Sequence, residues 1–341
     1  MNKNLRSRFL FLKNPFLMKK YIVTAILLLV ASLKVEAQQL PLFSQYSEYQ
    51  GLINPSAISY DYLLSDYPTT FGISARRQWR DVPSSPITFV AKGEYVQERR
   101  NAVSMLYGGF LINDQTGDIS STGAYGRIAG IVTGGKNPKE GGLSLGLMAG
   151  IVQYKVDINS LFSKFGNDPL IGEQIADNVI RPDVGIGLTY HKQFGRNGFF
   201  KNDYVVAGLS VPQLLGLNVE YGTEDNSFYI NRIQHFYLTG SYFKTLTQGT
   251  HLEFSTWIKK VKNVPVNFDL VMRYRFVDFM WLGIGINNSQ IAQLEFGFFL
   301  GEKIGLYDNA FKFGIAYNPS VNSYGPNFGR TLEVNIAYLR F

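Results

Sequence analysis

Val266-Asn267-Phe268-Asp269-Leu270-Val271-Met272-Arg273-Tyr274-Arg275 is the stretch that decides how this chain folds. Its even positions are all apolar or aromatic, and its odd positions are mostly polar or charged. Successive side chains of a strand point to opposite faces, so this period sets one face in an apolar medium and the other in water. From near Thr70 to the last residue, Phe341, roughly fourteen segments of about ten residues follow this alternation. They begin near Thr70, Thr88, Ala102, Ser121, Gly142, Pro182, Asp203, Ile233, Thr250, Val264, Phe279, Ile291, Ala310 and Thr331. Leu143, Leu145, Leu147, Ala149 and Ile151 alternate with Ser144, Gly146, Met148 and Gly150. Val184, Ile186, Leu188 and Tyr190 alternate with Asp183, Gly185, Gly187, Thr189 and His191. The expectation is an all-β chain: a transmembrane antiparallel β-barrel of about 14 strands over residues 69–341.

The other end supports export. Lys19 and Lys20 form a positive region, Tyr21 to Leu33 is apolar, and Val35-Glu36-Ala37 is a small-x-Ala cleavage site before Gln38. Residues 1–37 therefore read as a signal peptide, with Met18 a second candidate start. They hold seven Lys/Arg against the single acid Glu36, a surplus of six, so of the formal +7 only +1 belongs to the mature chain. The basic balance thus lies in the signal and gives no reason to expect nucleic acid. Cysteine is absent, which removes disulfides, thiolate metal sites and cysteine nucleophiles. Beyond the signal no run of eighteen apolar residues occurs, so a membrane would have to be crossed by a closed barrel in which every backbone group is paired. Localisation in the outer membrane, in contact with its lipid, follows.

Residues 38–68 are irregular, with turn formers at Asn54-Pro55 and Tyr67-Pro68, and read as a periplasmic or lumen-inserted segment. The three longest connections, near 154–181, 212–232 and 319–330, follow the fifth, seventh and thirteenth strands. With the first strand running outward, all three are extracellular, as expected of such barrels. The last strand fits less simply. Counted back from Phe341, Leu339 and Ala337 keep an apolar phase but Asn335 and Glu333 break it, while Leu332, Val334, Ile336 and Tyr338 form a stripe in the opposite phase. A bulge near Tyr338 is the expected remedy.

Catalytic motifs do not survive their context. Gly142-Leu143-Ser144-Leu145-Gly146 matches G-x-S-x-G, which needs a strand–turn–helix elbow, yet lies inside an alternating strand. Ser241 and Lys244 match S-x-x-K, but on a strand they point to opposite faces. Gly130 to Lys136 resembles a phosphate loop whose required Ser/Thr is replaced by Asn137. His191, His235 and His251 lie on separate strands without metal-ligand spacing. No enzyme activity, cofactor or metal is expected. Asp183, Glu253, Asp269, Arg273, Arg275 and Glu295 fall on inward positions, where ion-pair networks fixing the barrel are favoured over a channel lining.

Phe43-Ser44-Gln45-Tyr46, then Ile53-Asn54-Pro55, then Arg76-Arg77-Gln78-Trp79-Arg80 followed by Pro86-Ile87-Thr88, resemble the opening of the PorP/SprF family of type IX secretion membrane proteins. The similarity continues through Asn113-Asp114-Gln115-Thr116-Gly117, Gly187-Leu188-Thr189-Tyr190, Gly208-Leu209-Ser210, His235 to Gly240, Val266 to Asp269 and Trp281-Leu282-Gly283, over essentially the whole mature chain. The resemblance implies an outer-membrane barrel serving the secretion apparatus of Bacteroidetes-type bacteria. Its implied partners are other components of that apparatus and large secreted surface proteins with a C-terminal sorting domain, which in gliding relatives include mobile adhesins. Phe43, Gln45, Tyr46, Asn54, Pro55, Arg77, Gln78, Trp79 and Pro86 are the interaction candidates this yields. Their structural alternatives are a turn at Asn54-Pro55 in a plug-like segment and, around the first hairpin, a Trp79 anchor with Arg77 paired inside the lumen.

A barrel of this size is too narrow to pass a folded domain. The favoured function is therefore a partner that receives, anchors or retains secreted proteins through long extracellular loops. A porin or small-solute transporter is the alternative. A barrel lipase lacks a rim serine with a base, and a soluble β-sandwich does not explain outward aromatic faces together with an export signal.

Overall fold

The computed structural model describes residues 43–341 apart from 100–102, 136, 157–177, 196, 217, 224–225, 232, 248, 277–278, 289–290, 302–303 and 320–328. The expected signal peptide lies outside the described residues. Among those described, fourteen strands close into one antiparallel barrel in sequence order. They are β1 (Thr69–Arg77), β2 (Ile87–Gln97), β3 (Ser104–Thr116), β4 (Ile119–Thr133), β5 (Gly141–Val156), β6 (Asn178–Gln193) and β7 (Tyr204–Val211), then β10 (His235–Thr247), β11 (Thr250–Val261), β12 (Asn267–Phe276), β13 (Met280–Asn287), β14 (Ala292–Leu300), β15 (Asn309–Asn318) and β16 (Thr331–Arg340). A separate hairpin, β8 (Asn218–Thr223) and β9 (Asn226–Asn231), stands in the connection between β7 and β10. The closing pair is β1 with β16, in register from Thr69 opposite Arg340 to Arg77 opposite Leu332. Closure leaves the barrel wall, among the described residues, no unpaired strand edge, the condition for crossing lipid with strands.

The alternation maps directly onto the wall. On β5, Leu143, Leu145, Leu147 and Ile151 are exposed while Ser144, Met148 and Val152 are buried. On β6, Ile186, Leu188 and Tyr190 are exposed and Asp183, Thr189 and His191 buried. So large an exposed apolar belt is untenable in water and natural against acyl chains. Toward one end of the barrel, Phe71, Tyr95, Tyr107, Tyr274 and Phe311 face outward close to strand termini, the place of an interfacial aromatic girdle.

The first residue of β1 and the last residue of β16 are register partners, which defines a terminal end of the barrel. The opposite, loop end carries the connections 157–177, 212–234 and 319–330. Strands β5 and β6 reach further toward that end than their alternation suggested, shortening the first of these.

The expected bulge near Tyr338 is absent. β16 pairs with β15 in unbroken register from Asn318–Thr331 to Asn309–Arg340, and Phe341 lies past the strand, 72% exposed. The apolar stripe Leu332, Val334, Ile336, Tyr338 faces outward throughout. Glu333 and Asn335 face inward because polar partners meet them there.

Candidate functional site

Those partners come from the N-terminal segment, which fills the lumen. Its described part has a 3-10 turn (Tyr46–Tyr49) running into α1 (Gln50–Ile53), a tight turn at Asn54–Ala57, and α2 (Tyr60–Ser65). Ser59 caps α2 by accepting from Asp61 N–H at 3.2 Å, and Asp66 closes it in the left-handed region. Both devices are legible locally, yet each helix is one turn or so long, too short for a helical period to show in the sequence.

Two forces seat this plug. Apolar contact is the larger. Ile58, Tyr60, Tyr62 and Leu63 pack on inward Leu106, Ile131, Val206 and Phe243 toward the terminal end. Phe43, Tyr46, Tyr49 and Ile53 pack on Val90, Tyr237, Trp257 and Val271 further up. Each such side chain contributes roughly 1.5–3 kcal/mol when fully buried. Polar contacts then fix the register. Glu333 accepts from the backbone N–H of Ser44 (2.7 Å) and Gln45 (3.1 Å). Asn335 donates to Gln45 Oε1 at 2.8 Å, and Gln293 donates to the Ser44 carbonyl at 2.7 Å. Lys312 reaches Glu48 at 2.6 Å and Asp61 at 2.5 Å. Arg127 donates to the carbonyls of Pro55 (3.0 Å) and Ala57 (2.8 Å) and pairs with Glu94. Tyr60 donates to Ser241 Oγ at 2.6 Å.

The Asn54-Pro55 turn lies on a bed of glycines. Asn54 donates to Thr189 Oγ1 (3.0 Å) and the Leu188 carbonyl (3.3 Å), and Ser210 donates to the Ile53 carbonyl (2.7 Å). A Cβ at Gly187 would stand 1.9 Å from Asn54 Oδ1, and one at Gly146 would stand 2.5 Å from Pro55 and Ser56 backbone. Gly146 is the last residue of the G-x-S-x-G match. Ser144 is fully buried on the lumen face with β5 continuing to Val156, so no elbow exists. The glycine gives the plug room instead. Likewise Ser241 faces the lumen under Tyr60 while Lys244 pairs with Asp203 at 3.0 Å. Gly130 to Thr133 continue β4.

The sequence candidates separate into two places. Phe43, Gln45, Tyr46, Asn54 and Pro55 are in the lumen, with Phe43 stacked on Tyr49 at 4.3 Å between centroids. Arg77, Gln78, Trp79 and Pro86 are at the loop-end rim. There Gln78 N–H donates to the Pro86 carbonyl (2.9 Å), Trp79 N–H to Thr331 Oγ1 (3.4 Å) and Arg77 Nε to Ser85 Oγ (3.3 Å). Trp79 has φ 52°, a conformation uncommon outside glycine. The expectation that Arg77 pairs inside the lumen is corrected: Arg77 is exposed, and Arg76, one residue earlier and so on the other face, approaches Glu333 at 3.6 Å.

The six inward charges occupy the lumen wall. Glu253 lies 3.6 Å from Arg273 and 3.1 Å from Arg275, Arg273 pairs with Glu295 and donates to Ser47 of the plug, and Asp269 pairs with Lys259. Asp183 Oδ2 accepts from Tyr125 Oη and Asp183 Oδ1 from Val184 N–H, both at 3.0 Å. Asp183 borders a cavity of about 90 Å³ in the loop-end half of the barrel. Phe43, Leu52 and Ile53 of the plug form one side, and Tyr125, Tyr237 and Trp257 of the wall another. Arg127, Lys312, Glu333, Thr189 and Ser210 hold the plug and were not singled out from the sequence. Their signal was a charge or hydroxyl on the inward phase, uninterpretable until its partner segment was known to lie inside.

Against known proteins, the family described as type IX secretion system membrane protein PorP/SprF matches residues 35–338. No curated protein matches the chain. Among solved structures, a deletion mutant of the monoaromatic hydrocarbon channel TodX is 11% identical, over 85% of this chain and 94% of that one, with a TM-score of 0.49. The Ralstonia pickettii toluene transporter TbuX is 9% identical, over 85% and 92%, at 0.48. The Acinetobacter baumannii outer membrane protein Omp33 is 9% identical, over 81% and 98%, at 0.42. Likenesses this distant carry no inference about activity.

Proposed function

The chain belongs to the PorP/SprF family of type IX secretion system membrane proteins, and from that premise we propose that it is a non-enzymatic partner which receives, anchors or retains secreted surface proteins at the outer membrane. The observation that carries this reading is the filled lumen. Residues 43–65 are hydrogen-bonded to wall residues all round the barrel, from Arg127 on β4 through Thr189 on β6 to Glu333 on β16. Such a lumen does not suit the passage of a polypeptide, so the cargo is met outside the wall, at the end where the long connections gather. The cargo in this reading carries a C-terminal sorting domain, and in a gliding organism it includes mobile adhesins. Deletion of the gene, with secreted and surface proteins compared to wild type by mass spectrometry, tests it. Selective loss of one or a few large surface proteins is expected. An unchanged set would sink the proposal and bring forward the porin reading, for which conductance of the purified protein scaling with salt is the direct check.

A further inference from the structure

The loop-end rim around Trp79 stands where the outer face of the wall stops being apolar. The outward side chains of β1 run Phe71, Ile73, Ala75 and then Arg77, all exposed. Val334 and Ile336 of β16, opposite Ala75 and Ile73, are exposed too, as is Phe89 of β2 beside Ala75. Arg77 therefore ends an apolar strip, at the height where acyl chains give way to head groups. The fold brings two more guanidiniums to this rim. Arg80 N–H donates to the Arg330 carbonyl at 2.9 Å, which ties the β1–β2 connection to the start of β16. Arg80 and Arg330 are exposed, and Arg77 donates to Ser85 Oγ at 3.3 Å. The lumen arginines Arg76, Arg127, Arg273 and Arg275 each face a carboxylate; among the described residues Arg77, Arg80 and Arg330 do not. Asp81, the one acid of the β1–β2 connection, lies against Gly329, so three positive charges meet one negative. Like charges gathered on one rim repel, and a shared anion relieves the repulsion. The planar guanidinium fork matches phosphate oxygens two at a time. Trp79, 36% exposed among them, has the apolar ring and polar N–H that suit a membrane interface.

We propose that Arg77, Arg80 and Arg330, gathered about Trp79, form a docking surface for the phosphate of a lipid head group in the leaflet at the loop end. The surface continues the lipid-facing belt and carries the charge that a phosphate complements. It goes beyond the receiver reading and rests only on the barrel's place in the outer membrane. Its test uses the full-length mature barrel in detergent, titrated with diphosphoryl lipid A and with the same glycolipid stripped of both phosphates. Tryptophan emission follows binding: Trp257 and Trp281 are buried in the lumen, so the response should come from Trp79 and vanish in Trp79→Phe. Saturable binding of the phosphorylated lipid is expected, weakening as salt rises. Each of Arg77→Gln, Arg80→Gln and Arg330→Gln should weaken it about fivefold and the three together about a hundredfold, with the stripped glycolipid as weak as the triple variant. Gel mobility of the unboiled protein shows that each variant is a folded barrel. Inorganic phosphate, which lacks an acyl anchor, should fail to displace the lipid at equal concentration. Equal binding of the two glycolipids, full displacement by inorganic phosphate, or an unaltered affinity in the triple variant would overturn the lipid surface. In cells the triple variant should keep its surface proteins. If it loses them while lipid A affinity is unchanged, the rim belongs to the cargo: the lipid surface fails and the receiver reading stands. If gene deletion leaves surface proteins unchanged while phosphate-selective lipid binding persists, the receiver reading fails and the lipid surface stands.

Discussion

At the scale of single residues, the lumen shows buried charges used for position more than for strength. Lys312 is 2% exposed and serves two plug carboxylates, Glu48 and Asp61. Removing one partner of a buried pair leaves the other uncompensated, at about 3–5 kcal/mol. Lys312→Met is therefore expected to loosen the plug by that order, read as a lower thermal unfolding midpoint and as ion current in planar bilayers. Glu48 belongs to the plug and not to the wall. Burial pushes its carboxyl up, but Lys312, then Lys92, Arg273 and Arg275, outweigh burial and hold it down at about 2 against an ordinary 4.5. A carboxyl depressed on folding gives stability that is fully present above its unfolded value and lost as pH falls through its folded one. Plug seating should thus be level above 4.5 and decline from there toward 2, and Glu48→Gln should flatten that decline in the same bilayer assay. Gly187→Ala tests steric fit. Its methyl collides with Asn54, an overpacking of about 1–3 kcal/mol, and Asn54→Ala in the same chain should recover part of the loss.

At the scale of elements, the plug is a set of one-turn helices that hold no shape without the wall, since helices this short are marginal in water. Its apolar side chains dominate the seating, and the wall's inward polar residues choose among positions. Deleting residues 43–65 should leave the fourteen strands able to close, because their pairing is wall to wall, while unblocking the lumen. The expected result is a barrel with normal gel mobility and a salt-dependent conductance absent from the intact protein. A conducting intact protein would instead speak for the porin reading. β16 shows the same logic from the wall side. Its Glu333 and Asn335 look like breaks in an apolar pattern only when the segment they bind is left out. The strands themselves were legible because their two faces meet lipid and lumen separately, and the period survives in sequence. The plug helices were not, because each is shorter than the window in which a 3.6-residue period shows.

At the scale of the whole molecule, the long connections share one end, and the proposed surface-protein role belongs there. Removal of residues 157–177 is expected to abolish retention of the dependent surface proteins while leaving barrel assembly intact, measured by surface proteomics beside gel mobility. Full retention would remove that connection from the role.

The sequence by itself determined the class of wall, its strand order, which side chains face out and the family, because each follows from local alternation or contiguous motifs. It also placed Asp183, Glu253, Arg273 and Glu295 on one face. Only the tertiary structure decided what that face meets. Asn54 reaches Thr189, Ser44 reaches Glu333 and Lys312 reaches Asp61 across 135, 289 and 251 positions, and no local pattern encodes a contact at such separation. The glycines at 146 and 187 carry the same lesson: in sequence they read as strand punctuation or a hydrolase motif, and only the segment seated against them shows that the absent side chains are the fit.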